Sequence, residues 1–267
     1  MVDEKNADFY LDVLRSLVKE GVLDVTMRIL VACGGATDKD VFMNAGFAYV
    51  VISNLDTRLN GDEFPPFAWS FQDVERLSFE DNSFDFAVVH SGLHHCSSPH
   101  RGLLELYRVA RKGVLLFEPY DSVFTRIGAR LNFGQKYELA AVASNGFQFG
   151  GVNNTAIPNY IYRLSESEIE NVVNCFAPYG RHRFQFIRKL RIPWYQLRNR
   201  RNKLYFIAVV VALPILTLLS RLIPGLSNNF AAVILKPEFP VDIHPWLKWE
   251  DGQVKLNSDW LKETYAV

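Results

Sequence analysis

The sequence has little of what marks secreted or metal-binding proteins. Its 267 residues include only three cysteines, Cys33, Cys96 and Cys175, and their spacing fits no metal or redox motif. A reducing, cytoplasmic compartment and no metal site are therefore expected. The first twenty residues lack the apolar core of a signal peptide and instead predict an amphipathic helix within residues 1–24.

Acidic residues are missing from one long stretch, although 29 basic and 29 acidic residues balance over the whole chain. Residues 181–236 contain eleven Lys and Arg and no Asp or Glu. A basic stretch of this kind can attract nucleic acid, but no recognised nucleic-acid-binding motif accompanies it. Nucleic acid is therefore not expected as a partner.

An uncharged apolar run, residues 204–220, lies inside the basic stretch. A membrane-spanning helix needs about twenty apolar residues, and this run is shorter, contains Pro214 and is flanked by strands expected in one sheet. Two interpretations stay open. The run is a core helix or a homodimer contact, or residues 195–224 rest on an anionic membrane surface, with the protein peripheral on the inner membrane face.

Apolar runs alternate with helical patterns through most of the chain, which predicts a parallel sheet with helices on both faces. Residues 25–240 are expected to form this α/β domain, with 195–226 as an insertion between its last two strands and 241–267 as an extension. Residues 121–164 are long, irregular and aromatic, which is typical of a substrate lid; they are termed the lid segment. The predicted strands are 28–33, 48–53, 68–71, 86–90, 113–118, 183–192 and 229–236; the predicted helices are 37–45, 98–111 and one that begins at Ser165.

The most informative segment is 71–99. Asp73 follows a short strand, the loop LSFEDNSFD leads into the apolar run FAVV, and His94 and His95 come directly after that run. In open α/β sheets, ligands bind outside the carboxyl ends of the strands. The segment therefore predicts an enzyme site at this edge.

This segment resembles the central motifs of class I S-adenosylmethionine-dependent methyltransferases of the small-molecule, type 11-like kind. The resemblance covers residues 28–120 and returns near 229–237. It implies a Rossmann-like, seven-stranded, mostly parallel sheet with an antiparallel last strand, and S-adenosyl-L-methionine as cofactor. The matching positions are Asp73, Leu77, Phe79, Asp81, Ser83, Phe84, Asp85, Leu93, His94, His95 and Pro99.

The resemblance also implies a set of cofactor-binding residues, with departures from the family pattern. The acid that opens the glycine loop is Val31 here, and of the three alternate glycine positions only Gly35 fits. Asn54 replaces the acid that holds the ribose, so its hydrogen bonds lack charge assistance. The implied cofactor-binding residues are Cys33, Gly34, Gly35, Asn54, Asp73 and Val74, with Asp73 and Val74 at the adenine, and His90 lining the cleft.

The expected catalytic residues are His95 and Glu118. A neutral imidazole at His95 would accept a hydroxyl proton during transfer, although positioning of the reactants alone is a second possibility. Glu118 either acts on the acceptor or bonds nearby backbone amides. The expected function is methylation, on oxygen, of a small-molecule, glycan or lipid-linked acceptor. The alternative is a non-catalytic methyltransferase-like adaptor or membrane-binding module, which the weak glycine loop leaves open.

Overall fold

The structure is a computed structural model and describes residues 4–130, 135–192 and 203–265. Seven strands form one sheet in the order β3-β2-β1-β4-β5-β7-β6. A separate two-stranded sheet, β8–β9, lies in the C-terminal extension. The strands are β1 (Arg28–Ala32), β2 (Tyr49–Asn54), β3 (Ala68–Phe71), β4 (Phe84–His90), β5 (Ala110–Pro119), β6 (Arg183–Lys189), β7 (Asn229–Leu235), β8 (Leu247–Glu250) and β9 (Gln253–Leu256).

The helices of the described chain alternate with these strands. Short 3₁₀ turns occur at Leu93–His95, Val152–Asn154 and Pro224–Leu226. The helices are α1 (Glu4–Lys19), α2 (Ala36–Ala45), α3 (Pro99–Val109), α4 (Val123–Arg130), α5 (Leu139–Ser144), α6 (Glu166–Phe176), α7 (Leu204–Leu222) and α8 (Ser258–Tyr265).

The predicted fold class is confirmed. Strands β1 to β5 pair in parallel, and β7 runs antiparallel to both of its neighbours, β5 and β6. The chain order reverses between β1 and β4, so the crevice at their carboxyl ends is the switch point where such sheets bind ligands. The resemblance-based expectation of an antiparallel last strand in this sheet therefore holds.

Two apolar layers cover the sheet because neighbouring strand residues point to opposite faces. Ile29 and Val31 pack on the face that carries α1 and α2, whereas Leu30 and Ala32 pack on the face that carries α3 and α6. All four residues are at most 1% exposed. The middle of the sheet is thus buried on both sides, and only its edges remain open for a site.

Element boundaries differ from the predictions where sheet pairing outweighs local pattern. Helix α3 ends at Val109 rather than at residue 111, because Ala110 already pairs with Phe84 of β4. Strand β6 ends at Lys189 rather than at residue 192. The helix predicted from Ser165 is present, and Ser165 and Glu168 form a capping box at its start. The hairpin β8–β9 and helix α8 were not predicted.

The insertion leaves and returns at one point of the carboxyl edge. Lys189 pairs with Asn229, and Asn229 pairs with Pro119 at the end of β5. The Asn228 side chain closes the neck, since it accepts from the Arg191 N–H and donates to the Arg191 carbonyl, both at 2.7 Å. Of the predicted insertion, residues 195–202 lie outside the described residues, as does Phe133 of the lid segment.

Helix α7 is not part of the core. None of its described residues is buried, so the interpretation of 204–220 as a core helix of this chain is wrong. Its extensive contacts within the described chain are with the turn Pro224–Leu226. Across the described ranges of the chain, no helix is both long enough and apolar enough to span a bilayer.

Candidate active site

The sheet brings the predicted site residues to one edge. Strand β1 ends beside Cys33, β2 ends at Asn54, β4 ends at His90, and Glu118 is the penultimate residue of β5. Burial raises the pKa of the Cys33 thiol, and the nearby carboxylates of Glu118, Asp38 and Asp73 raise it further. The thiol is therefore protonated at neutral pH, and four acidic or sulfur side chains converge on one crevice.

The glycine turn after β1 is shaped by close packing on one side and open space on the other. A Cβ on Gly34 would lie 2.9 Å from the Ile52 Cγ2 atom, whereas a Cβ on Gly35 would meet no atom within 4 Å. Asn54 braces the turn: its Nδ2 donates to the Gly34 carbonyl at 2.9 Å, and its Oδ1 accepts from the Asp56 N–H at 3.0 Å. Gly35 thus faces free space where a ligand can approach the backbone.

Asp73 and Val74 lie next to this turn, because the Gln72 N–H donates to the Asn54 carbonyl at 3.1 Å. The Asp73 Oδ1 atom accepts from the Glu75 N–H at 2.9 Å. Among the described residues, the Asp73 Oδ2 atom and the Val74 N–H have no hydrogen-bond partner. An acceptor and a donor are therefore adjacent and free, as the edge of an adenine ring requires.

Glu118 is an anchor for the loop after β4. It is 1% exposed, its Oε1 accepts from the N–H groups of Gly92 and Leu93 at 2.8 Å, and its Oε2 lies 2.7 Å from the His94 Nδ1. Burial opposes ionisation, but His94 and the two amides outweigh it and hold the Glu118 pKa below its usual value. Of the two expected roles of Glu118, the structure shows the bonds to nearby backbone amides, and it adds the contact with His94.

His95 lies between this loop and the lid segment. Its ring centroid is 4.4 Å from that of His94. Burial, together with His94, lowers the pKa of His95 to about 4, while contacts with Gly151 and Asn159 of the lid segment act in the opposite direction. Asn159 also donates to the His94 carbonyl at 2.6 Å. His95 is therefore neutral at physiological pH and faces the region predicted to hold the acceptor.

His90 lines the opposite side of the crevice, under the N-terminal helix. Its ring stacks on Tyr10 with centroids 4.7 Å apart. Burial lowers the pKa of His90 to about 4. The uncharged His90 ring thus lies between α1 and the end of β4, and α1 covers this side of the crevice.

Sequence reasoning missed Tyr10 and Asp38. Both are buried, and the Asp38 Oδ2 atom accepts from the Gly35 N–H at 2.9 Å. Burial raises the pKa of Asp38 to about 6, and the facing Tyr10 hydroxyl opposes this shift. The position of Asp38, three residues after Gly35, was a capping signal; Tyr10 had no signal beyond its place in an amphipathic helix.

A cationic clamp joins the lid segment to the end of β2. Arg58 pairs with Asp56 through a 2.5 Å contact, donates to the Asn145 Oδ1 at 3.2 Å and lies 4.2 Å from the centre of the Phe149 ring. The Asp56 carboxylate thus holds Arg58, which in turn contacts the lid segment.

A separate pocket of about 290 Å³ lies between α4 and residues 160–163. Arg126, Tyr160, Tyr162 and Glu168 contribute polar groups to its walls. None of the predicted cofactor or catalytic residues lines it. The switch-point crevice, rather than this pocket, therefore contains the candidate chemistry.

Comparison with known proteins identifies the kind of domain that contains these strands. Residues 31–117, from β1 to β5, match a family model described as a methyltransferase domain. The chain carries a methyltransferase domain. This match includes every predicted cofactor-binding residue and His95, and no curated protein matches the sequence.

Two solved structures share the fold of this methyltransferase domain and its flanking elements. The YcgJ protein of Bacillus subtilis is 15% identical, with a TM-score of 0.50, over 84% of this chain and 98% of that one. Magnesium protoporphyrin IX methyltransferase (ChlM) of Synechocystis PCC 6803, with bound SAH, is 11% identical, with a TM-score of 0.51, over 89% of this chain and 88% of that one. At these identities the likeness concerns the fold, which is that of class I methyltransferases.

Proposed function

We propose that this protein transfers a methyl group from S-adenosyl-L-methionine to an oxygen of a small-molecule, glycan or lipid-linked acceptor bound under the lid segment. The observation that carries the proposal is the open crevice at the switch point. There, Gly35 faces free space and the free Asp73 Oδ2 and Val74 N–H lie beside it. The site lies within the methyltransferase domain and under the His95 side of the lid segment.

The cofactor residues divide into two groups. The cofactor supplies an activated methyl group when bound. Gly35, which has no side chain, lets the amino-acid end of the cofactor approach the turn closely, while Asp73 accepts from the adenine amino group and Val74 donates to the ring. Asn54 keeps the turn in shape through its bond to Gly34.

The histidine pair acts on the acceptor side. Because Glu118 accepts from the Nδ1 position of His94, the His94 Nε2 atom is left as the proton acceptor of that ring. His95, whose pKa burial lowers to about 4, is neutral and serves to orient the acceptor. Most of the rate enhancement then comes from holding the two reactants in line, with a smaller share from proton acceptance.

Isothermal titration tests the cofactor half of the proposal. Wild-type protein should bind S-adenosylmethionine and S-adenosylhomocysteine with saturable heat. Asp73→Ala should weaken binding by about 10- to 150-fold, because a charge-assisted hydrogen bond is lost. Asp259→Ala, an exposed carboxylate on α8, is the matched control and should bind like wild type.

One observation favours the adaptor hypothesis. The family's first acid is Val31 here, a glycine of its loop is Cys33, and its ribose-binding acid is Asn54. An adaptor would show no cofactor heat in the wild type and no difference for Asp73→Ala. Such a result would remove the enzymatic proposal.

A further inference from the structure

We propose that α4 and α7 dock the protein on the surface of an anionic lipid bilayer, with the carboxyl edge of the sheet turned towards the lipid. The α4–α7 surface is defined by six apolar side chains: Val123, Ile127, Ile207, Val211, Ile215 and Leu218. The docking itself is independent of the proposed function. Its consequence for the acceptor rests on that function.

The first observation is exposed apolar area that the described chain leaves uncovered. Val211, Ile215 and Leu218 are 70%, 63% and 58% exposed, and Val123 and Ile127 on α4 are 60% and 50% exposed. No residue of α4 is buried. A helix that is apolar around its circumference normally lies inside a protein or a membrane, and α7 does not lie inside this protein.

The second observation is where this surface stands. α4 begins at Val123, shortly after β5 ends at Pro119, and packs against the turn Pro224–Leu226 that ends the insertion. The neck of the insertion, closed by Asn228 and Arg191, lies at the carboxyl end of β5. The α4–α7 surface is therefore attached to the same edge of the sheet as the active-site crevice.

The third observation is charge, which selects the occupant. Residues 181–236 contain no acid, and α4 and the segment after it add Arg130 and Lys136, whereas Arg126 is paired with Asp121 at 2.6 Å. A two-fold symmetric contact between two copies would bring these basic stretches together. Anionic headgroups instead complement them, and the apolar side chains enter the layer beneath.

The length and attachment of α7 restrict its orientation relative to a bilayer. Its 19 residues span about 28 Å, at about 1.5 Å per residue, and Pro214 interrupts its backbone bonding. Since β6 and β7 meet again at one neck, a single crossing would separate two paired strands. The helix therefore lies along the surface of the bilayer, and an acceptor in or on the membrane would reach the crevice from this edge.

Vesicle flotation with the full chain tests the docking. Wild-type protein should float with vesicles of phosphatidylcholine mixed with phosphatidylserine, remain behind with phosphatidylcholine alone, and detach as salt is raised. The double variant Val211→Asp/Ile215→Asp should stay unbound. Its melting temperature should match that of wild type, because both side chains are exposed.

A charge-matched control is Val241→Asp/Leu256→Asp, which replaces two exposed side chains, 75% and 57%, in the C-terminal extension. This control should float like wild type. Replacing Arg130 with Gln should weaken binding to anionic vesicles by about fivefold.

Three outcomes overturn the docking proposal. The first is wild-type protein that does not float with anionic vesicles, and the second is a Val211/Ile215 variant that floats like wild type. The third is a wild-type dimer in light scattering that the variant converts to monomer, without vesicle binding, which would assign the surface to a second copy. Because titration with S-adenosylhomocysteine needs no membrane, a failure of docking and a failure of the proposed enzyme are seen in separate experiments.

Discussion

Glu118 offers the sharpest test of how the site is built. Its side chain is buried and accepts three hydrogen bonds, from the Gly92 and Leu93 N–H groups and from His94. Glu118→Ala leaves all three buried donors without their hydrogen-bond acceptor. Leaving buried donors unpaired in this way costs about 1–3 kcal/mol of the free energy of unfolding for each group.

Glu118→Gln distinguishes the contribution of the backbone hydrogen bonds from that of the carboxylate charge. Its amide oxygen can still accept from Gly92 and Leu93, but its amino group faces the His94 Nδ1 and forces the other imidazole tautomer. Loss of the charge-assisted bond should cost about 1–2 kcal/mol. Urea denaturation at neutral pH measures both costs, and imidazole ¹⁵N shifts report the tautomer of His94.

The pH dependence gives this prediction a sign. The lowered pKa of Glu118 stabilises the fold above its ordinary pKa, and this stabilisation is lost as the pH falls through the lowered value. The difference between wild type and Glu118→Gln should therefore shrink in acid. Glu63→Ala, an exposed carboxylate, is the control. If Glu118→Ala is no more destabilising than Glu63→Ala, the anchor role is refuted.

Two further predictions concern the crevice. Gly34→Ala should destabilise the fold by about 1–3 kcal/mol, because its Cβ would lie 2.9 Å from two side chains. Gly35→Ala should have the melting temperature of wild type but bind S-adenosylhomocysteine more weakly. An unchanged affinity of Gly35→Ala would show that the ligand does not bind against the open face of Gly35. Stability should also fall as the pH drops from 6.5 to about 4, since burial lowers the pKa of His90 and His95 to about 4: the unfolded state then binds more protons, at a cost of up to about 3 kcal/mol for each ring. Replacing both rings with Gln should flatten this part of the denaturation profile, and a profile as steep as that of wild type would contradict the assigned burial.

The strands were predictable because their signal is local. Continuous apolar runs such as the one that ends at His90 occur where both faces of a strand are buried, and the sheet buries both. Resemblance to one family then placed the antiparallel last strand. Boundaries shifted where a partner strand decided the outcome, as at Ala110, whose pairing with Phe84 lies outside any local pattern.

The location of the site residues in the sheet was predictable, but the contacts between their side chains were not. Sequence placed Glu118 and both histidines at one edge, yet which ring meets the carboxylate depends on the 3₁₀ turn Leu93–His95. Tyr10 and Arg58 reach the site from elements far from the motif. Their roles come from tertiary packing of α1 and of the lid segment, which a single sequence does not encode locally.

Helix α7 shows a similar limit. An apolar run predicts burial, but it does not say what buries it. The core interpretation was wrong because the sheet face was already filled by α1, α2, α3 and α6. Only the structure shows that the run is attached beside the crevice and left exposed.

The central claim is tested most directly by methyl transfer itself. Wild-type protein, Asp73→Ala and the Asp259→Ala control would be incubated with methyl-labelled S-adenosylmethionine and an extract of cellular small molecules and lipids, with a protein fraction assayed in parallel. We predict label in the small-molecule or lipid fraction with wild type and the control, and strongly reduced label with Asp73→Ala. No transfer to any fraction, together with no binding of S-adenosylhomocysteine by wild-type protein, would contradict the account.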